Sequence, residues 1–173
     1  EAPAGGALTQ DTYDANGQLS KVTDPLGQEI RYTYDFLDNP VTVTDRNGVQ
    51  TTTQYTVYGI SAVTAGTDKK EYSYDKLGRL SASRQYAGEV LTDETGYIYD
   101  AFGRKVRERN GEDIAKEYSY DANSNLLTYT LKEYEIPKST ASYTYNSLNQ
   151  LTEMTGDGIL STYGSVSYTH LLA

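Results

Sequence analysis

Apolar and aromatic residues alternate with polar ones along most of the chain, and turn-forming residues interrupt the alternation at short intervals. Leu80-x-Ala82 and Leu127-x-Tyr129-x-Leu131 are examples of the alternating segments. A period of two is typical of β-strands, and no stretch shows the period near 3.6 that marks a helix. The pattern therefore predicts an all-β protein of short strands joined by short turns.

One motif, Tyr-x-Tyr-Asp-x-x-Gly-x-Leu, recurs along the chain. It is clearest at Tyr72–Leu80, close at Tyr97–Arg104 and Tyr118–Leu126, and worn at Tyr55–Gly59, which lacks the Asp. Weaker copies lie at Thr12–Leu19, Tyr32–Asn39 and Tyr143–Leu151. The second tyrosine of each copy, called the key tyrosine below, is Tyr13, Tyr34, Tyr55, Tyr74, Tyr99, Tyr120 or Tyr145, so the copies are 19 to 25 residues apart.

Each copy is interpreted as a strand, a tight turn and a second strand. The two tyrosines are two residues apart, so they project from one face of a strand. The Asp that follows can accept a hydrogen bond from the backbone two residues on, as the first residue of a type I turn does. Four residues after each key tyrosine we expect a left-handed backbone that closes a hairpin loop. These positions are Gly17, Asp38, Gly59, Gly78, Gly103, Ser124 and Asn149.

A second, looser turn is predicted between successive copies. Its signals lie at Asp24–Gly27, Asp45–Gly48, Ala87-Gly88, Asn110-Gly111 and Gly156–Gly158. Seven copies then give an antiparallel meander of about fourteen strands, and a sheet of that length is expected to twist and curve. We expect an irregular lead-in at residues 1–11, seven repeats over residues 12–162 and an irregular, truncated tail at residues 163–173.

Composition makes tyrosine the main side chain of this sheet. The 173 residues include 18 Tyr but only 2 Phe and no Trp, and the aliphatic residues are too few for a thick dry core. A net charge of −9 without a run of Lys or Arg argues against nucleic acid and anionic membranes as main partners. No apolar run approaches the roughly 18 residues of a membrane helix. The absence of Cys removes disulfides and thiolate metal sites.

The segment Tyr74–Leu80, together with its relatives at these spacings, resembles the YD repeats, also called rearrangement hot spot (RHS) repeats. The resemblance covers Thr12 to Thr162, with Pro40, Ser61 and Lys105 in place of the Leu. It implies a sheet strip that curves into part of a larger β-shell. In bacterial members such a shell encloses a toxic C-terminal domain of a secreted protein, and other members are displayed on the cell surface.

The resemblance implies a non-enzymatic structural segment of a secreted or surface-displayed bacterial protein. Its partners would be the flanking repeats of the same chain and an enclosed toxin domain. The alternative is a cell-surface module for carbohydrate binding or adhesion, since aromatic rings can lie against sugars. The chain starts at Glu1 without an initiator Met, and we expect it to be an internal fragment.

The acidic residues were considered as sites and interpreted as turn residues. The recurrent Asp of the motif could suggest calcium, but Ca²⁺ needs six to eight converging oxygens and no Asp-x-Asp-x-Asp-Gly loop occurs. Asp24-Pro25-Leu26-Gly27 resembles half of the signature of a self-cleaving aspartyl protease, whose chemistry needs two carboxylates that share a proton. No second Asp-Pro-x-Gly is present, so an ordinary proline-containing turn is the preferred interpretation.

No catalytic, cofactor-binding or metal-binding residue is predicted. His170 is the only imidazole and has no matching nucleophile, so we interpret it as a tail residue. The basic residues Arg79, Arg84, Arg104, Lys105, Arg107 and Arg109 are interpreted as a solvated strand face with cross-strand charge pairs rather than a phosphate site. The first tyrosines of the pairs either pack within the sheet, which we favour, or form an exposed sugar-binding strip. They are Tyr32, Tyr72, Tyr97, Tyr118 and Tyr143.

Overall fold

The computed structural model describes residues 8–156 and 159–163, and these residues form fifteen strands and no helix. Within each of the two units described below, neighbouring strands pair antiparallel, which confirms the predicted all-β meander. Fourteen of the strands make the seven predicted hairpins, and β15 is one further strand after the seventh hairpin. The strands are β1 (Gln10–Tyr13), β2 (Leu19–Thr23), β3 (Glu29–Tyr34), β4 (Pro40–Thr44), β5 (Gln50–Thr56), β6 (Gly59–Ala65), β7 (Asp68–Tyr74), β8 (Leu80–Ala87), β9 (Val90–Tyr99), β10 (Lys105–Asn110), β11 (Ile114–Tyr120), β12 (Leu126–Glu133), β13 (Ile136–Tyr145), β14 (Leu151–Gly156) and β15 (Ile159–Thr162).

The strands fall into two compact units, residues 1–93 and 94–173. In the first unit β1 to β8 pair in the order of the sequence. In the second unit β10 pairs with β9, and β10 to β15 again pair in sequence order. β1 begins at Gln10, inside the predicted lead-in, while the boundaries proposed for the whole array stay a prediction.

The turn after the key tyrosine has the predicted geometry in six of the seven copies, the exception being the worn copy at Tyr55. In the copy at Asp75, the Gly78 amide donates to the Asp75 carbonyl (3.0 Å), and Asp75 Oδ1 accepts from the amides of Leu77 (2.9 Å) and Arg79 (3.0 Å). The strand register slips by one residue there, so that Tyr74 pairs with Leu80. The seven positions expected to be left-handed all have positive φ, which confirms the prediction for the non-glycine members Asp38, Ser124 and Asn149 as well.

The second turns differ from the prediction in three places. Asp24–Gly27 and Asp45–Gly48 are as tight as the first turns, because each Asp accepts from two amides in the same way. At Asn110, where a turn is also predicted, the side chain accepts from the amides of Glu112 and Ile114 in the same way, and the residue with positive φ is Asp113 (61°). The predicted turn at Gly156–Gly158 lies partly outside the described residues.

The strand registers divide the side chains of each unit between two faces. One face, called the tyrosine face, carries the tyrosine pairs and most aliphatic residues, and the polar face carries Thr, Ser and paired charges. In the first unit the tyrosine face includes Tyr13, Val22, Ile30, Tyr32, Tyr34, Val43, Tyr55, Ile60, Val63, Tyr72, Tyr74 and Leu80. In the second unit it includes Tyr97, Tyr99, Ile114, Tyr118, Tyr120, Leu126, Tyr129, Leu131, Tyr143, Tyr145, Leu151 and Met154.

Each unit is a single-layered sheet. The only buried apolar residues of the described chain are Ala62, Ala115 and Ala141, and no large side chain in that part of the protein is fully buried. The tyrosines of the pairs are half-buried, apart from the exposed Tyr13. Stability therefore comes from strand pairing and from contacts between neighbouring hairpins, as in other repeat proteins. The described residues contain no helix that could cross a membrane.

Candidate functional site: the tyrosine face and its turn edge

Five of the seven key tyrosines join their hairpin to the one before it within the same unit. Their hydroxyl groups donate hydrogen bonds to the backbone carbonyl at the start of the preceding return strand, 14 to 19 residues earlier in the sequence. The bonds run from Tyr34 to Leu19 (2.9 Å), Tyr55 to Pro40 (2.9 Å), Tyr74 to Ile60 (2.7 Å), Tyr120 to Lys105 (2.9 Å) and Tyr145 to Leu126 (3.0 Å).

These hydrogen bonds lie where the backbone ladder between two hairpins has ended. The pairing of β6 with β7 stops at Ala62 and Glu71, so the carbonyl of Ile60 has no partner in the ladder between these two strands. A carbonyl that loses water without a new donor costs free energy, and the Tyr74 hydroxyl supplies a donor there. Phenylalanine could not do so, which explains the need for Tyr at the five key positions that make this bond.

In four of the turns the residue after the turn folds back onto the carboxylate that starts it. Arg79 Nε donates to Asp75 Oδ2 (2.7 Å), and Arg104 Nε donates to Asp100 Oδ2 (2.7 Å). The backbone amide of Arg79 is the main cause of a lowered pKa at Asp75, and its guanidinium adds to the effect. At Asp100 burial alone would raise the pKa, but the hydrogen bonds from Arg104 outweigh it and the pKa is lowered.

Neighbouring turns also contact each other along the edge of the sheet, called the turn edge below. Gln18 Nε2 donates to Asp38 Oδ1 (2.8 Å), and Arg104 Nη1 donates to the Asp121 carbonyl (2.6 Å). The amides of Asn123 and Asn125 likewise bind Asn149 Oδ1, at 3.0 and 2.9 Å. Side-chain bridges therefore continue the connection between hairpins beyond the strands.

The worn copy makes the same connection with an aromatic ring. Thr56 pairs with Gly59, so Val57 and Tyr58 form a two-residue loop in place of the Asp turn. The Tyr58 ring lies against Gly78 in the next copy, where a Cβ on Gly78 would come within 2.9 Å of Tyr58 Cδ1. The rings of Tyr58 and Tyr74 are also 6.2 Å apart.

One charged cluster interrupts the tyrosine face of the second unit. Lys105 Nζ lies 5.8 Å from the Tyr97 ring centroid and 5.4 Å from that of Tyr118, and it binds Glu108 at 2.5 Å. Lys116 Nζ binds the other oxygen of Glu108 at 3.3 Å. The hydrogen bond with Glu108 raises the pKa of Lys105, the bond from Lys105 lowers the pKa of Glu108, and burial raises the pKa of Tyr118.

Asp24 and His170 were the other candidate site residues of the sequence analysis. Asp24 starts an ordinary turn, and its outer oxygen lies 3.5 Å from Arg46 of the next turn. The described residues contain no group of three or more acidic or imidazole side chains arranged to hold a metal ion. His170 lies outside the described residues.

The basic residues are paired with carboxylates rather than gathered as a free patch. Ion pairs within the second unit join Arg104 to Asp100, Lys105 to Glu108, Arg107 to Glu117 and Glu135, and Arg109 to Asp113. In the first unit Arg79 binds Asp75. Cross-strand pairs such as Arg107–Glu117 have the geometry that the sequence interpretation expected, and Arg107 and Glu117 are directly opposite in the register.

The exposure of the first tyrosines lies between the two alternatives left open by the sequence. Tyr32, Tyr72, Tyr97, Tyr118 and Tyr143 are all half-buried, so they are neither a closed core nor a fully exposed strip. Tyr118 on β11 packs against Tyr129 on the adjacent strand β12, with ring centroids 5.6 Å apart. Packing within the sheet therefore uses one side of these rings and leaves the other in solvent.

Sequence reasoning missed the two interactions that hold neighbouring hairpins together. The hydroxyl bond of the key tyrosine had a signal, since that position is Tyr in all seven copies of a chain that also contains Phe. The residue after the turn had a weaker signal: it is Gln, Asn or Arg in copies such as those with Gln18, Asn39 and Arg79. Each of these side chains carries N–H donors that can reach a carboxylate or a neighbouring turn.

Comparison with known proteins gives a match to a repeat family, a curated relative and solved structures. Residues 13–50 match the family described as RHS Repeat. The "tRNA3(Ser)-specific nuclease WapA" of Bacillus spizizenii is 29% identical over 161 residues, covering 84% of this chain and 7% of that protein.

Solved structures share the fold at low sequence identity. The Photorhabdus luminescens Tc holotoxin pore with the TccC3-D651A mutation matches with a TM-score of 0.64 at 20% identity, over 86% of this chain and 9% of that chain. The TcdB2-TccC3 crystal structure gives a TM-score of 0.64 at 20% identity, over 87% of this chain and 9% of that chain. The chain thus spans less than a tenth of the length of these relatives.

Proposed function

We propose that this chain, which consists of RHS repeats, is a non-enzymatic stretch of wall in a β-shell that encloses a C-terminal toxin domain of a longer secreted or surface-displayed bacterial protein. In this role the array closes off a space and does no chemistry of its own. The nuclease activity named for the Bacillus spizizenii relative would then belong to another part of that protein.

The observation that carries this proposal is the single-layered sheet with an uncovered aromatic face. Each hairpin joins the next through strand pairing, a tyrosine hydroxyl and turn-to-turn contacts, so copies can be added without a second layer. A globular domain buries such an apolar face against another layer. In a shell wall, by contrast, an uncovered apolar face can contact the enclosed domain.

The similar proteins support the proposal. The structures with the same fold belong to a Tc holotoxin and to TcdB2-TccC3 assemblies, and the curated relative is a nuclease. All are far longer than this chain, which agrees with a repeated wall segment as one part of a large toxin. The proposal requires that the parent protein is exported. Fractionation of the producing cells tests this, because the protein should be found in the medium or at the cell surface.

The carbohydrate-binding alternative receives less support from the tyrosines. The hydroxyls of five key tyrosines, including Tyr34, Tyr74 and Tyr120, are already bound to backbone carbonyls. A sugar site uses convergent free polar groups beside an aromatic ring. Loss of glycan-array binding in the Tyr72→Ala, Tyr97→Ala double variant, with folding intact, would support the alternative, and a blank array would end it.

Protease protection of a downstream domain tests the wall role. The longer protein is expressed with and without the array, and both forms are treated with increasing protease. The proposal predicts that the downstream domain survives only when the array is present. A variant on the polar face, Thr42→Ala, serves as control and should protect as well as the unaltered array. Equal digestion with and without the array would contradict the proposal.

A further inference from the structure

We propose that the cluster formed by Tyr97, Lys105, Glu108, Lys116 and Tyr118, called the lysine–tyrosine cluster below, binds an acidic side chain of an extended polypeptide segment that lies on the tyrosine face. This inference rests on the proposed wall role, because it names a place where the wall meets the enclosed polypeptide.

The cluster has more positive than negative charge. Glu108 is the single carboxylate shared by Lys105 and Lys116, at 2.5 and 3.3 Å. Glu133, which lies on the same face at the end of β12, is bound by Lys138 at 3.1 Å. Two ammonium groups therefore face one carboxylate, and one positive charge is left for an anionic partner.

The two lysines differ in how firmly they are held. Lys105 is fixed between the Tyr97 and Tyr118 rings and by its short bond to Glu108. Lys116 has a longer bond to Glu108, and its side chain is 43% exposed. An ammonium group that has one weak partner and access to solvent can bind a second carboxylate without breaking the Lys105–Glu108 pair.

The surroundings favour a polypeptide over a small anion. Ile114, Lys116, Tyr118 and Tyr120 alternate along β11 on the tyrosine face, and the opposing positions on β12 include Leu131 and Tyr129. Side chains two apart in an extended peptide have the same spacing as those along a strand. A segment that alternates acidic and apolar residues could therefore place a carboxylate at Lys116 and apolar groups on the neighbouring rings.

Peptide binding to the chain tests this inference. The probe is a fluorescent peptide of alternating Glu and Leu, and the comparison peptide has Gln in place of every Glu. Fluorescence anisotropy should give at least fivefold weaker binding for the Gln peptide. Lys116→Gln should weaken binding of the Glu peptide three- to tenfold, with the circular dichroism melting curve unchanged.

Lys70→Gln is the matched control, because Lys70 is an exposed lysine on the tyrosine face of the first unit. It should leave binding of the Glu peptide unchanged. Equal affinity for both peptides, no binding of either, or an equal loss in Lys70→Gln would overturn the inference. Competition by inorganic phosphate or by vesicles of anionic lipid that is stronger than by free Glu peptide would also overturn it, in favour of those ligands.

The failure of this inference can be told apart from failure of the proposed function. If Lys116→Gln binds peptide normally while the array still protects a downstream domain, the cluster is not the contact point and the wall role stands. If the array gives no protection at all, the wall role fails, whatever the peptide measurements give.

Discussion

The hydroxyl group of Tyr74 donates a 2.7 Å hydrogen bond to the carbonyl of Ile60, one strand beyond its own hairpin. The bond lies just past the last ladder pair between β6 and β7, at Ala62 and Glu71. The same relationship recurs at other key tyrosines, so it is part of how one repeat is joined to the next. Its contribution to stability can be measured one hydroxyl at a time.

Tyr74→Phe should lower the free energy of unfolding by about 1 kcal/mol, because the ring stays in place but the Ile60 carbonyl loses its donor. The measurement is urea unfolding followed by circular dichroism. Tyr72→Phe is the control, since among the described residues the Tyr72 hydroxyl has no hydrogen-bond partner, and it should change stability by less than about 0.5 kcal/mol. Equal effects of the two substitutions would show that the Tyr74 hydroxyl bond does not contribute to the free energy of unfolding.

Gly78 is predicted to be required for space as well as for its backbone conformation. Its φ is +78°, and a Cβ there would lie 2.9 Å from Tyr58 Cδ1. Gly48 has φ of +81° but nothing within 4 Å of the corresponding position. Gly48→Ala should therefore cost about 1 kcal/mol from backbone strain, and Gly78→Ala should cost roughly 1–3 kcal/mol more from overpacking.

A double-mutant cycle separates the two effects at Gly78. Tyr58→Ala removes the ring that the new methyl group would meet, so the extra cost of Gly78→Ala over Gly48→Ala should disappear in the Tyr58→Ala background. Urea unfolding of the single and double variants provides the measurement. An extra cost that persists without the Tyr58 ring would contradict the steric explanation and would assign the whole effect to the backbone.

Acid is predicted to destabilise the array through the turn carboxylates. Hydrogen bonds from Asn39 and Arg79 are the main causes of lowered pKa values at Asp35 and Asp75. In the unfolded chain these groups titrate near the ordinary value of 3.8, so below about pH 4 the unfolded state binds more protons than the folded state. Stability is therefore present above that pH and is lost as the pH falls through the folded-state pKa values.

Asp75→Asn tests the acid sensitivity at one turn. Asn keeps an oxygen that can accept the turn amides, as Asn146 does in the last copy, but it does not titrate. The urea midpoint of the variant should fall less between pH 6 and pH 3 than that of the unaltered chain. A parallel fall in both proteins would rule out Asp75 as a source of the acid sensitivity.

The parts of the fold that depend on local chemistry could be predicted from the sequence. Alternation predicted the strands, and the spacing from the key tyrosine predicted the left-handed residues, including Asp38 and Ser124. A turn was predicted at Asn110-Gly111 and is found there, but the length of the turn, in which the Asn110 side chain accepts amides up to Ile114, was not predicted. The partner of the Tyr74 hydroxyl, the Ile60 carbonyl, could not be predicted, since it depends on where the ladder between two hairpins ends.

The loop between β12 and β13 offers a stabilising substitution. Glu133 pairs with Ile136, so Tyr134 and Glu135 form a two-residue loop in which both have positive φ, 50° and 63°. This is the type I′ turn, which favours Asn at its first position and Gly at its second. Tyr134 is 66% exposed, so replacing it loses little buried area.

Tyr134→Asn should raise the free energy of unfolding by about 0.5–1 kcal/mol, because Asn adopts the left-handed conformation at less cost and keeps the amide that donates to the Asp113 carbonyl (3.0 Å). Glu135→Gly is the comparison: it also relieves the backbone, but it removes the carboxylate that pairs with Arg107. Its gain should therefore be smaller, and only this variant should lose the salt dependence of that pair. A drop in melting temperature for Tyr134→Asn would mean that contacts of the Tyr134 ring outweigh the backbone strain.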